Sequence, residues 1–180
     1  MINSDKVKYL VGGKEVNSKG VLPYNNLICD FLSEFSKQLD LFPFIKKYPD
    51  IKTLAFWCRP NNILKFKKNF LSDEVRLGLG LVFHITPSNI PTNFAYSLIF
   101  GLINGNSNIV KVPSKNFEQI KIICEILSRI LKRKNSFLEK KVSIIRYNND
   151  DTITKKFSMI CDARLIWGGD KTINDIKSFK

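Results

Sequence analysis

The sequence has one histidine, two tryptophans and four cysteines in 180 residues, and no apolar run as long as a membrane span. Each scarcity closes off a class of function. A bilayer-crossing helix needs about 18 or more consecutive apolar residues, whereas the most apolar run, Phe94 to Ile103, is shorter and contains Ser97 and Gly101. Residues 1–14 mix charges with short apolar pieces and never build the continuous apolar core of a secretory signal, so a cytoplasmic protein is expected. Cys29, Cys58, Cys124 and Cys161 form no CxxC pair and have no histidine beside them, which excludes the common zinc clamps and leaves four reduced thiols. Cys124 falls on the apolar side of a predicted helix, the usual place of a buried structural thiol. The lone histidine, His84, ends a predicted strand and belongs to no Ser/His/Asp arrangement readable from spacing, so a packed, hydrogen-bonded role is expected. Gly78 and Gly80 do not form the GxGxxG dinucleotide fingerprint, because the third glycine is absent and they precede a strand instead of following one.

Positive charge, by contrast, is abundant. The formal net charge is +13, and a basic balance is the first footprint of a nucleic-acid binder. Its distribution argues against that partner. Residues 1–60 carry +3, 61–135 carry +7 and 136–180 carry +3, with only short clusters at Lys65, Lys67 and Lys68, at Lys132, Arg133 and Lys134, and at Lys140 and Lys141. The second cluster ends a predicted helix, where cations complement the negative end of the helix dipole. The aromatic residues fall mostly at core periodicities, so no stacking platform interleaved with basic residues is visible. A small phosphorylated ligand remains a natural use of the charge.

Along the chain, residues 1–70 read as a helical N-terminal segment with breaks. Leu27, Phe31, Phe35 and Leu39 lie four residues apart and predict an amphipathic helix over 26–39, and Pro43, Pro49 and Pro60 punctuate the next stretch of chain. A second helix is predicted from Asn61 or Asn62 through Phe70. From residue 79 short β-branched runs alternate with helical patterns. Strands are predicted at Leu79–Ile85, Asn108–Val112, Val142–Arg146 and Ala163–Trp167. Helices are predicted at Thr92–Ile103, Asn116–Leu131 and Asp151–Ile160, with another starting at Thr172. Repeated β-α-β-α predicts an α/β fold with a doubly wound parallel sheet over 71–180 and a helical layer over 1–70. Ligands of such sheets bind beyond the carboxyl ends of the strands. There the sequence places Thr86-Pro87-Ser88-Asn89-Ile90-Pro91, Lys111-Val112-Pro113-Ser114 and Gly168-Gly169-Asp170.

The order TPSNIP, NGN at Asn104–Asn106, KVPS and WGG at Trp167–Gly169 resembles the N-terminal half of the aldehyde-dehydrogenase superfamily. The pieces HITPSNIP, GLINGNSNIVKVPS and ARLIWGGD are most similar to its acyl-CoA reductase branch, the LuxC-type fatty-acid reductase of bacterial luminescence systems, over residues 76–175. The resemblance implies an NADP-binding domain and reduction of a long-chain acyl-CoA to the aldehyde by NADPH. It assigns Asn89 as donor to the oxyanion of the attacked thioester. It places Thr86, Pro87, Ser88, Lys111, Ser114, Gly168 and Gly169 around the cofactor. Lys111 would meet the ribose hydroxyls, and Ser114 stands where NAD-preferring relatives carry a glutamate that repels a 2′-phosphate. Gly168 and Gly169 would let the backbone approach a pyrophosphate at a helix N-terminus, although the common serine of that turn is replaced by Gly169. From the residues alone, a turn-forming role for Asn89 and a plain turn at Gly168-Gly169 come first, the resemblance reversing the order for Asn89, and Ser114 reads as the N-cap of the following helix.

In the resembling family a cysteine thiolate attacks the thioester and holds the acyl group. That cysteine is expected beyond the WGG turn, so the domain is expected to be incomplete at its C-terminus, with Cys161 a poor substitute because it precedes the strand. The partners expected are acyl-CoA and either a separately encoded C-terminal half or a second copy of the chain. The alternative is an inactive split-gene product or remnant that binds NADP(H) at most. No metal site is expected.

Overall fold

Three strands buried on both faces build the centre of the sheet. In a computed structural model, which describes residues 6–70, 74–134 and 136–179, these are β2 (Leu81–Ile85), β3 (Ser107–Lys111) and β4 (Val142–Arg146), nearly every residue of which is buried. They are flanked by β1 (Lys8–Val11) at one edge and β5 (Ala163–Ile166) at the other, in the order β1-β4-β3-β2-β5. The four strands β2 to β5 are parallel, whereas β1 runs antiparallel to β4, with Lys8 opposite Arg146 and a shift of register between Tyr9 and Val11. The sheet is therefore mixed, and the expectation of a wholly parallel one is corrected at this edge. β1 also lies inside the segment whose sequence reads as helical. It is four residues long, too short to display an alternation that competes with neighbouring helical patterns.

Two apolar clusters form on the two sides of the sheet because successive strand residues point to opposite faces. Leu81, Phe83, Ile85, Ile109 and Ile145 meet Ile153 and Phe157 of α7 (Asp151–Ile160) and Ile176 of α8 (Asp170–Lys177). Val110, Val112, Val142 and Ile144 meet α1 (Asn26–Asp40), α4 (Asn93–Ile103) and α5 (Glu118–Lys134) on the other side. The buried stripe of α1 is Ile28, Phe31, Leu32, Phe35 and Leu39; Leu27, placed in the stripe by its four-residue spacing, is 45% exposed. Helices α2 (Pro49–Trp57) and α3 (Pro60–Phe70) pack outside α1, followed later in the chain by the single turn α6 (Ser136–Glu139). Pro49 and Pro60 open α2 and α3 instead of breaking the chain, since a first helical position needs no N–H and suits proline's fixed φ. For that reason the sequence pattern does not reveal α2.

The amino ends of the strands are closed by the stretch from Gly13 to Val21. Gly13 O accepts from Ser143 Oγ at 3.0 Å, Asn17 N donates to Lys140 O at 2.7 Å, and Val21 N donates to Gly105 O at 2.9 Å. Lys141, wholly buried, donates from Nζ to Lys19 O at 2.6 Å and to Ser107 Oγ at 3.1 Å. Burial lowers its pKa from the usual lysine value.

Gly105 makes this junction possible. Gly105 N bonds Leu102 O and Asn106 N bonds Gly101 O, the paired bonds that stop a helix at a left-handed residue. Its φ is +81°, and a Cβ there would lie 2.1 Å from Val21 O. Gly105→Ala is therefore expected to destabilise the fold by about 2 kcal/mol or more. Gly13→Ala, whose new Cβ meets nothing within 4 Å, should change stability by less than about 0.5 kcal/mol. Urea unfolding of both variants checks the pair, and equal midpoints would contradict the assigned role of Gly105.

Candidate functional site

Because β2, β3 and β5 are parallel, their carboxyl ends lie on one edge of the sheet. Ile85 is opposite Lys111 on one side and Ile166 on the other. The chain leaves β2 for β3 and β4, then returns to β5 on the far side of β2. Such a reversal of strand order opens a crevice beyond the carboxyl ends, the usual ligand position in α/β sheets. The turns after β2, β3 and β5 are brought together there. Thr86 N and Thr86 Oγ1 both donate to Lys111 O, at 3.4 and 2.8 Å, while Trp167 N donates to Ile85 O at 2.9 Å.

The turn after β2 is anchored at its start and free at its tip. Thr86 is buried with its hydroxyl committed to the β3 carbonyl, whereas Ser88, Asn89 and Ile90 are exposed. The helix after this turn, α4, has Thr92 as its N-cap without a side-chain capping bond. The positive end of its dipole thus faces the edge where Asn89 stands. Asn93 Oδ1, in the first turn of α4, is a buried acceptor with no partner among the described residues.

Lys111 and Ser114 both engage Tyr147, the residue just past β4. Lys111 Nζ lies 5.0 Å from the centroid of the Tyr147 ring, a cation–π arrangement, and Ser114 Oγ donates to Tyr147 O at 3.0 Å. Burial lowers the Lys111 pKa. Tyr147 is fixed in turn by its hydroxyl on Thr154 Oγ1 at 3.0 Å and by its ring against Phe157. Ser114 does not cap α5, which begins four residues later than Ser114, at Glu118; its hydroxyl serves β4 instead. Sequence reasoning misses Tyr147, although an aromatic residue directly after a strand on the edge that holds Lys111 is the available signal.

Gly168 and Gly169 are exposed between β5 and α8. Gly169 is the N-cap of α8 and offers no side-chain capping bond, and a Cβ there would meet nothing within 4 Å. Asp170 is the first helical residue.

Behind these turns lies a buried polar chain. His84 Nδ1 is 2.8 Å from Ser97 Oγ and His84 Nε2 is 2.9 Å from Asn108 Oδ1. Trp167 Nε1 donates to Ser97 Oγ at 3.0 Å, and Asn108 Nδ2 donates to Asn106 O at 3.0 Å. His84 is packed and hydrogen-bonded as its isolation in the sequence suggests, and desolvation lowers its pKa to about 4.

The four thiols stand away from the crevice. Cys161 precedes β5, at the opposite end of that strand from Gly168. Cys58 and Cys124 are buried, their pKa values pushed up to about 12, and Cys29 on α1 donates to Tyr24 O. A cavity of about 690 Å³ between β1, β4 and α5 is lined by Lys8, Phe117, Cys124 and Arg146 and by none of the three turns. Among the described residues, no group of three or more His, Cys, Asp or Glu is placed to hold a metal ion, and no helix is long and apolar enough to cross a membrane.

The histidine yields a pH test. Its ordinary value is 6.5 and its folded value about 4. Between the two the unfolded chain takes up a proton that the folded chain refuses. Stability therefore rises with pH through this window and falls as pH drops from 6.5 toward 4, by about 3 kcal/mol in all. The ¹⁵N imidazole signals should stay those of a neutral ring down to about pH 5 while unfolding free energy declines. A His84 that titrates near 6.5 in the folded chain would contradict this.

A family model described as acyl-CoA reductase (LuxC) matches residues 52–180, more than two-thirds of the chain, and includes all three turns. No curated protein matches it.

Proposed function

The chain belongs to the acyl-CoA reductase (LuxC) family, and on that premise we propose that it forms the nucleotide-binding side of an NADPH-dependent reductase that converts a long-chain fatty acyl-CoA to its aldehyde. The observation that carries this reading is the meeting of the Thr86–Pro91, Lys111–Ser114 and Trp167–Asp170 turns at one edge, where the strand order reverses about β2. That reversal, with helices on both faces, also supports an aldehyde-dehydrogenase-like, doubly wound architecture.

The residues fit a dinucleotide phosphate. Gly169 caps α8 with no side-chain bond and a Cβ there would meet nothing within 4 Å, whereas a Cβ at Gly168 would meet the Thr172 side chain at 3.2 Å; a glycine turn at a helix N-terminus is the arrangement that accepts a pyrophosphate on backbone N–H groups. With glycine in place of the family's usual serine, that contact falls to the main chain. Lys111 forms no ion pair with a carboxylate among the described residues and directs its charge to the same edge, toward the ribose of the adenosine half. Ser114 brings no negative charge against a 2′-phosphate, which favours NADP(H) over NAD(H). Thr86, Pro87 and Ser88 form the wall between these groups, Thr86 through its backbone because its hydroxyl is used internally. NADPH supplies the hydride when bound.

Asn89 lies at the exposed tip of the β2 turn, ahead of the positive end of α4. Its amide N–H can donate to the oxygen of a thioester carbonyl as negative charge develops there, an interaction stronger in the transition state than in the substrate. The thiols inferred to be reduced accord with a cytoplasmic reductase.

A second reading rests on the cysteines. None of Cys29, Cys58, Cys124 or Cys161 stands at the crevice in a state suited to attack, so the 180 residues on their own bind NADP(H) without turning over acyl-CoA.

Titration of the purified chain is expected to give tighter binding of NADPH than of NADH, and Lys111→Ala should weaken NADPH by about tenfold or more. Equal or better binding of NADH would overturn the coenzyme assignment. Thioester-dependent NADPH oxidation separates the two readings, since binding without oxidation supports the second. Where oxidation is obtained, Asn89→Ala should lower turnover by about a hundredfold with little change in NADPH affinity. An unchanged rate would return Asn89 to a turn-forming role.

A further inference from the structure

Trp167 stands immediately before the Gly168-Gly169 turn, and its indole bonds that turn to the α4 side of the crevice. Its N–H can only donate. Ser97 Oγ accepts it at 3.0 Å and lies 2.8 Å from His84 Nδ1, toward which its two lone pairs and one hydrogen allow either role. At the other end Asn106 O can only accept, so Asn108 presents Nδ2 to it and Oδ1 to His84. His84 must hold its proton on Nε2 to satisfy that oxygen. Nδ1 of the neutral ring is then an acceptor, so Ser97 gives it its hydrogen while accepting from Trp167. Ser97, His84 and Asn108 are wholly buried, so a missing bond in this set costs the desolvation of its partner.

The surroundings are shaped to this chain. A Cβ at Gly101 would lie 1.8 Å from Asn108 Oδ1 and 3.1 Å from His84 Cε1, so only glycine on that face of α4 lets the bond between them form. Three elements contribute: α4 through Ser97, β2 through His84 and β3 through Asn108. All three also position the turns of the crevice. Trp167 extends this rigid set to β5, the residue 39% exposed while its indole N–H reaches inward. Its backbone N–H is tied to Ile85 O as well, which leaves the indole bond to set the rotation of the residue from which the glycine turn departs.

We propose that Trp167 is a positioning residue for the nucleotide site, its indole N–H on Ser97 holding the Gly168-Gly169 turn in register with α4 so that the turn's backbone meets a pyrophosphate. The inference rests on the NADP(H) reading above. It assigns to a buried histidine and serine, which touch no ligand, the task of fixing the geometry of one that does.

The test compares NADPH with 2′-AMP, which keeps the adenosine 2′-phosphate and lacks the pyrophosphate. Trp167→Phe keeps a ring and loses the donor; Ser97→Ala loses the acceptor. Each is expected to weaken NADPH by about five- to tenfold and to leave 2′-AMP binding unchanged, and the double variant is expected to be no weaker than the single ones because both remove one interaction. In the natural chain NADPH should shift the ¹⁵N signals of the Trp167 indole and the His84 imidazole, and in Ser97→Ala the His84 shift should vanish. Unchanged NADPH affinity in Trp167→Phe overturns the proposal, as does equal loss of NADPH and 2′-AMP, which marks general structural damage. A natural chain that binds neither probe overturns the nucleotide reading itself and this inference with it. Binding of 2′-AMP with no effect on NADPH in either variant removes the positioning role alone.

Discussion

The pairing of β2 with a parallel neighbour on each side is the constraint on which the rest of the molecule depends. Its five residues are buried, so each must satisfy its backbone groups within the sheet and its side chains within two helical layers. Parallel pairing then forces the carboxyl ends of β2, β3 and β5 to one edge, and with them every residue assigned to the nucleotide. Phe83 faces α7, His84 faces α4, and a slip of one residue would exchange an aromatic anchor for a polar network. The register is thus specified from both faces at once.

The two ends of the sheet are treated differently. At the amino end, the crossing stretch is bonded through Asn17 N and Val21 N and through the carbonyls of Gly13, Lys19 and Val21, which accept from Ser143, Lys141 and Gly78. At the carboxyl end the glycine turn and the tip of the β2 turn are exposed, and α8 starts without a side-chain cap. The set from Trp167 to Asn106 is buried at its centre and closes among itself, whereas the turn tips that an outside partner can reach are exposed. This asymmetry is the physical content of calling one end a site.

The part of the fold legible in the sequence is the part whose periodicity is strong. β4 and α7 fall at the residues expected, and β2, β3, α4 and α5 within a few. The stripe of α1 rotates from Leu27 to Ile28 because a four-residue spacing drifts across a helix of 3.6 residues per turn. β1 escapes because a four-residue strand has little pattern of its own and gains its stability from β4, far away in sequence. α2 escapes because its proline reads as a stop where it acts as a start. Of the site, the turn residues are visible as motifs and their meeting follows from parallel topology. Tyr147 and the pairing of Ser97 with Trp167 are not, since a contact across 70 positions leaves no trace in local spacing.

The antiparallel strand at the edge has a consequence in time. Its register partners are Ile144, Ile145 and Arg146, and the bonds from Ser143 to Gly13 and from Lys141 to Lys19 span 130 and 122 positions. On a ribosome the stretch from Lys8 to Lys19 emerges long before the strand that receives it exists. It must wait, basic and largely polar, while α1 and the parallel pair of β2 and β3 gather behind it, and it can lock only after β4 is out of the exit tunnel. β1, early in the sequence, is thus among the last elements to be locked into the fold.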